Sequence, residues 1–112
     1  MSVDINYLKK VYRNSRIRYV IQEVKKVIKG QTEEKIICVK GGKNDIYELI
    51  QRLKRMLKLL NGELLFSYQG NKKAVYVFFT SAMPNEIPRK SAVIIVENSG
   101  EYAGECEKVE IK

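Results

Sequence analysis

Near the start of the chain Lys9, Lys10, Arg13, Arg16 and Arg18 are interleaved with Tyr7, Tyr12 and Tyr19. Lysine and arginine neutralise phosphates and release their counterions, and tyrosine rings stack on bases or sugars, so this composition suits a nucleic-acid partner. The plainer reading is a set of tyrosines at a core margin beside hydrated cations. A second constellation is Gly41-Gly42-Lys43-Asn44-Asp45, which joins a strand-like run to a helix start. Exposed amides there, with Lys43 beside them, could hold a phosphate at the positive end of the helix. The spacing is not that of a Walker A loop, and the Asp45 carboxylate competes for the same amides. A third is Asn71, Lys72 and Lys73 at the tip of an expected hairpin, where they could touch phosphates. Arg52, Lys54, Arg55 and Lys58 line the polar side of a helical pattern, as on any solvated amphipathic helix.

The chemistry excluded is as informative. The chain has no histidine, so the usual general base and the commonest metal ligand are missing. Asp4, Glu23, Asp45, Glu48 and Glu63 show no paired spacing that would hold Mg²⁺, which counts against a nuclease of the metal-dependent kind. Neither a cofactor nor a metal is expected. Cys38 and Cys106 lie far apart, each in a strand-like run, and read as buried reduced thiols, with a disulfide between them, as thermophiles make inside cells, the lesser alternative. Lys and Arg number 21 against 13 Asp and Glu, a net charge of +8. The excess sits in a basic body up to Lys90, with a mildly acidic stretch from Ser91 onward, and points to a polyanion-facing surface. The abundance of Lys and Glu also resembles the surface of a thermophile protein.

The elements that must position these groups follow from periodicity. Ile17, Val20, Ile21, Val24, Val27 and Ile28 recur at spacings of three and four, predicting a helix over 15–29 with Ser15 at its start and Gly30 at its end. Ile46, Leu49, Ile50, Leu53, Met56, Leu57 and Leu60 form a second helical stripe, with Asp45 and Glu48 as a capping box and Asn61-Gly62 as terminator. Strands are expected at Lys35–Lys40, Glu63–Gln69, Lys73–Thr80, Ser91–Glu97 and Glu105–Lys112, the middle pair forming a hairpin about Gly70-Asn71. Ser91–Glu97 reads as a central strand and Glu105–Lys112 as an edge. Val3, Ile5 and Tyr7 alternate like a strand, while Asp4, Ile5, Leu8 and Tyr12 equally suit a capped helix. We take the strand. The fold class is then α+β in two layers: a mixed sheet, two helices on one face, a β-α-β-α-β-β core and two C-terminal strands. Without the first strand the order becomes α-β-α-β-β-β-β. The 112 residues form one domain.

From Tyr19 through Phe79 the order of segments resembles the archaeal Alba family of small dimeric chromatin and RNA-binding proteins. The likeness lies in a helix, then KIICVK-GGKND-IYELIQRLKRML, then LLFSYQ and AVYVFF as a hairpin. The resemblance implies nucleic-acid contacts by a lysine pair before the first helix, here Lys9-Lys10, and by the hairpin arm, here Asn71, Lys72 and Lys73.

The expected function is weakly sequence-selective nucleic-acid binding, to DNA or RNA, through phosphate contacts from a basic surface. The rivals are a protein-interaction or assembly role, in a viral or plasmid setting, and a small nuclease. A homodimer is expected, because a two-layer fold leaves one sheet face open and Phe66, Tyr76, Phe78, Val93 and Ile95 are candidates to lie on it; the rival is a monomer whose Ser81–Lys90 loop and acidic tail fold back over the sheet. No apolar run approaches a membrane span, and Met1–Lys10 lacks the apolar centre of a signal peptide, so a cytoplasmic protein with no membrane partner is expected.

Overall fold

The computed structural model describes residues 4–70 and 72–111. The first element is not a strand but a long helix, α1, over Ile5–Ile28. Asp4 caps it, accepting hydrogen bonds from the amides of Asn6 at 2.9 Å and Tyr7 at 3.4 Å. The expected alternation of Val3, Ile5 and Tyr7 is therefore overturned by local capping; Val3 itself lies outside the described residues. Nor does a helix begin at Ser15, since α1 runs straight through that position. Two apolar stripes share this helix. Ile17, Val20, Ile21 and Val24 face the core, while Ile5, Leu8 and Tyr12 form a stripe turned by roughly 140° about the axis at 3.6 residues per turn. That switch of phase conceals the continuity of the helix in the sequence.

Strand β1 (Lys35–Gly41) leads into helix α2 (Lys43–Leu59), followed by β2 (Leu64–Leu65), β3 (Val75–Phe79), a 3₁₀ turn at Thr80–Ala82, β4 (Ala92–Val96) and β5 (Glu107–Ile111). The element order is thus the α-β-α-β-β-β-β alternative. α2 starts earlier than its expected capping box: Gly42 is the N-cap, without a side-chain bond to the helix amides. Asp45 sits inside the first turn. At the other end Asn61 adopts φ 55°, and the Gly62 amide donates to the Leu57 carbonyl at 2.8 Å. Gly30, at φ 72°, ends α1 as its position predicts. Gly41 serves a close approach instead: a Cβ there would lie 3.0 Å from the Ile111 carbonyl oxygen.

The sheet is parallel throughout, in the order β2-β3-β4-β1-β5, and not mixed. The expected hairpin does not form. Only Leu64 and Leu65 of its first arm join the sheet, paired in parallel with Val75 and Tyr76. The chain between them loops out and back, held where Lys72 pairs with Glu63 at 3.0 Å and the Tyr76 hydroxyl donates to the Lys72 carbonyl at 2.8 Å. Asn71 lies outside the described residues. β4 is buried along its whole length, as a central strand must be, and β5 is the edge.

Both helices cover one face of this sheet, over Ile37, Val39, Val75, Val77, Ile94, Val96, Val109 and Ile111. The other face is also closed, by the 81–90 loop and the acidic stretch after β4 folded back over it, so the sheet is not left open as the two-layer expectation had it. Right-handed crossovers explain it. With α2 over the first face as the chain steps from β1 to β2, the returning steps from β2 toward β5 must pass over the second. These returning segments bring Met83, Ile87, Tyr102 and Cys106 onto Cys38, Tyr76, Phe78, Val93 and Ile95. Four of the five residues offered as an open dimer face are thereby buried within the chain, and Phe66 stands outside the sheet beneath the Lys54 ammonium. Pairing of two copies, where it occurs, must use another surface.

Two ties hold this second cover. Glu97, at the end of β4, accepts from the Lys108 ammonium at 2.6 Å and the Tyr102 amide at 2.8 Å. Burial pushes its carboxyl up, but these two donors outweigh burial and leave it below the ordinary glutamate value. The second tie corrects the reading of the cysteines as free thiols: Cys38 and Cys106 are joined in a disulfide. Cys38 lies in the middle of β1 and Cys106 just before β5, in the segment that crosses beneath that strand. The sequence separation of 68 residues makes the cross-link a strong constraint on the unfolded chain, worth on the order of 4 kcal/mol from loop entropy. Reduction should therefore lower unfolding free energy by about 2–5 kcal/mol in a denaturant titration. Identical midpoints with and without reductant would contradict the bridge.

Candidate nucleic-acid interface

The net charge of the protein belongs to one layer. The two helices hold twelve Lys and Arg against three Asp and Glu, a net +9. Against the whole-chain charge of +8, everything outside the helices sums to −1. Between Asp4 and Glu23, α1 carries five cations and no acid. The division that reads in the sequence as basic body and acidic tail is, in space, a division between the helical layer and the rest.

α1 also outruns the sheet. Its 24 residues measure about 36 Å, whereas the seven residues of β1 span about 23 Å. Its first buried position is Ile17, so the turns before it form an overhang. The direction of the overhang follows from contacts on either side. Glu23 and Tyr19 meet Lys35 and Glu107, which begin β1 and β5, while Tyr12 and Arg16 lie beside Lys40 and Glu110, near the ends of those strands. The overhang therefore projects past the carboxyl ends of the strands. That is the end at which open α/β sheets bind ligands.

The start of α2 lies at the same end. Between it and the overhang runs a groove of about 730 Å³, lined by Tyr7, Lys10, Arg13 and Asn14 from α1 and by Lys43 and Asp45 among others from α2. Arg52 donates to the Asn14 side chain at 2.7 Å and Arg13 lies 3.9 Å from Asp45, so the helices are pinned to one another beside the groove.

Of the residues singled out in the sequence, Lys9, Lys10, Arg13, Arg16 and Lys43 share this end of the molecule in different conditions, while Arg18 lies farther along α1, next to the Tyr19 that reaches the starts of the strands. Lys9, Lys10, Arg18 and Lys43 are exposed. Arg13 is partly buried and leans on Asp45. Arg16 turns inward over the Tyr19 ring at 5.5 Å, and its Nε is buried without a hydrogen-bond partner. Lys72 and Lys73 are not brought to them. They precede β3, at the amino end of the sheet, where Lys72 is paired with Glu63. Asn71 lies outside the described residues. Periodicity gave no weight to Asn14, which joins α1 to α2, or to Tyr47, an aromatic on the solvent side of α2. The signal for Tyr47 was present: it falls off the Ile46–Leu49–Leu53 stripe, so its ring had to face water.

The amino end holds the lever that aims the overhang. Glu107 of β5 accepts from the Lys35 ammonium at 2.7 Å and from the Tyr19 hydroxyl, and Lys35 also reaches Glu23 at 3.4 Å. These bonds fasten the middle of α1 to the first residues of two strands. Lys35, then Tyr19, hold the Glu107 carboxyl below the ordinary glutamate value; the bond to Glu107 raises both Lys35 and Tyr19 above theirs.

Comparison of the chain with protein-family models, with curated proteins and with solved structures finds no match.

The cluster on Glu107 carries a pH signature. The contribution of Glu107 is complete above the ordinary glutamate value near pH ~4.3 and is lost as pH falls through its lowered folded value. Those of Lys35 and Tyr19 are complete below their ordinary values near pH ~10 and are lost as pH rises through their raised ones. Urea midpoints should be lower in Glu107→Gln than in the parent across the plateau between these limits, and should fall less steeply at its acid side. An acid limb unchanged by the substitution would contradict the assignment.

Proposed function

We propose that this protein binds nucleic acid without cleaving it, through the phosphates, on the helical face at the carboxyl end of the sheet. The observation that carries the reading is α1, with five cations and no acid between Asp4 and Glu23, on a helical layer of net +9 beside a remainder of −1. A solvated surface built only for solubility has no reason to collect its cations on one layer. A phosphate backbone does favour such an array, because each neutralised phosphate releases a counterion. Lys9, Lys10, Arg13 and Lys43 would make the contacts, and Arg18 would extend them along α1 toward the middle of the helix. Arg16 supports α1 from beneath, and Lys72 and Lys73 lie too far along the sheet to join the same patch. Contacts to phosphates carry no sequence information, so binding made through them is weakly selective for sequence.

Among the described residues no helix is long and apolar enough to cross a membrane. A cytoplasmic setting is compatible with the Cys38–Cys106 disulfide only in cells such as those of hyperthermophiles, which keep intracellular disulfides. The Lys- and Glu-rich surface fits the same setting.

The test is a titration with duplex DNA and with RNA across a range of salt concentrations. Replacing Lys9, Lys10 and Arg13 together with Ala should flatten the slope of log affinity against log salt by about 2–3 for duplex DNA. A second reading, pairing with another copy of this chain, rests on Ile5, Leu8 and Tyr12, which are half exposed or more on the overhang. On that reading alone the triple variant keeps the slope of the parent, and Leu8→Asp lowers the mass seen by light scattering from two chains to one.

A further inference from the structure

An open sheet ends in two strands with one side unpaired, and here the two edges differ. β2 is two residues long and offers another chain almost nothing to pair with. β5 is five residues long and, among the described residues, pairs with β1 alone. The direction of its unpaired groups follows from the ladder. The Val39 carbonyl accepts from the Glu97 amide at 2.9 Å, so Val39 turns its backbone groups toward β4 and the next residue, Lys40, turns its own toward β5. Val39 lies beside Val109 and Lys40 beside Glu110, so Lys40 bonds to Val109 and Ile111. The amides and carbonyls of Lys108 and Glu110 then point away from the sheet. Both residues are exposed, while Val109 and Ile111 between and beyond them are buried. A hollow of about 400 Å³ runs past Tyr12, Arg16, Lys108, Val109 and Glu110, so α1 does not roof this edge.

We propose that two copies of this chain join along β5, antiparallel, with Val109 opposite Val109 of the copy. Charge decides the occupant and the register. Edges are commonly blunted by charges that repel an added strand, but the charges of β5 are of opposite sign on either side of Val109. In the proposed register Lys108 faces Glu110 of the copy, and Glu110 faces Lys108 of the copy. Residues placed so have Cβ atoms about 4.5–5.5 Å apart, within reach of an ion pair. Their outward amides and carbonyls bond to one another across the same pairs. A pairing centred on Lys108 or on Glu110 sets like charges together, and a slip of one residue turns the copy's helices to the other face. Lys108 keeps its bond to Glu97, since an ammonium has three donors. The helices have room. Strands lie about 4.8 Å apart and helices pack about 8–10 Å apart, and α1 lies across β1 and β4 as well as β5, inward of the edge. This pairing does not rest on the nucleic-acid reading, and it leaves Lys9, Lys10 and Arg13 open in both copies.

Light scattering of the full chain at micromolar concentration should give the mass of two chains. Glu110→Lys, at an exposed position, sets lysine against lysine and should give one. Lys108→Glu should do the same, and an equal mixture of the two variants, whose charges are complementary, should return to two chains. That rescue separates pairing from any loss of fold. Glu110→Pro removes an outward amide without touching the ladder to β1, and should also give one chain. In the parent the Lys108 amide should exchange with deuterium about tenfold more slowly, or more, than in Glu110→Lys. A parent of one chain at every concentration overturns the proposal. So does a mass of two chains kept by Glu110→Lys and Glu110→Pro alike. If Leu8→Asp alone gives one chain, the copies meet at the overhang and the β5 pairing is wrong. The nucleic-acid reading stands or falls separately, by the salt titration.

Discussion

A parallel sheet must be covered on both faces, and in this chain the two covers are of different kinds. One is a pair of helices. The other is made of irregular segments that return over the sheet because right-handed crossovers leave them no other route. Most of the rest follows from that asymmetry. Loops bury less apolar surface per residue than an amphipathic helix, so the loop side is fastened by specific bonds: the Cys38–Cys106 disulfide, the Glu97 carboxylate on Lys108 and Tyr102, and the Asn98 side chain holding Thr80 and Ser81. The helical side is held chiefly by its apolar stripes, with the Lys35–Glu107–Tyr19 cluster fixing α1, and its outer surface is free to carry charge.

The sorting of charge by layer gives the molecule a binding face without a pocket in the enzymatic sense. Lys9, Lys10 and Arg13 of α1 come near Lys43 of α2 because both helices run antiparallel to the strands and so present their N-terminal turns at one end; Arg52, Lys54, Arg55 and Lys58 lie farther along α2, toward the amino end of the sheet. The Lys35–Glu107–Tyr19 cluster fixes α1 at the other end, and the turns before Ile17 project as an overhang. An overhang of this sort is costly to leave bare. Its apolar residues Ile5, Leu8 and Val11 are about half exposed or more, and its cations repel one another. A polyanion relieves the second cost and a packed partner the first.

Much of this was legible in the sequence. The stripe of α2, the central position of β4, the edge character of β5 and the end of α1 at Gly30 all follow from local patterns, and the structure keeps them. What failed did so where two local signals competed. Val3, Ile5 and Tyr7 alternate, yet Asp4 caps a helix over part of the same stretch, and the change of apolar phase after Tyr12 made one helix look like two elements. Gly70 does take a positive φ of 61°, as a tight hairpin turn demands, but the pairing beyond it is parallel, and no residue near the turn records strand direction. The disulfide stood only as the lesser alternative to free thiols, because 68 residues separate its partners and only the crossover brings them together. The basic site was legible as a composition on α1 and Lys43; that Lys72 and Lys73 belong to the other end of the sheet was not, since it depends on strand direction.

The central claim is that the helical face, and not the remainder of the fold, meets nucleic acid. Mapping amide chemical shifts of the labelled protein during titration with a short oligonucleotide tests it most directly. The account predicts shifts confined to α1 from Ile5 to Arg18 and to the first turns of α2, with β5 and the segments covering the second sheet face unmoved. Shifts centred on Lys72 and Lys73 or on the 97–106 crossover, or none at low salt, would contradict it.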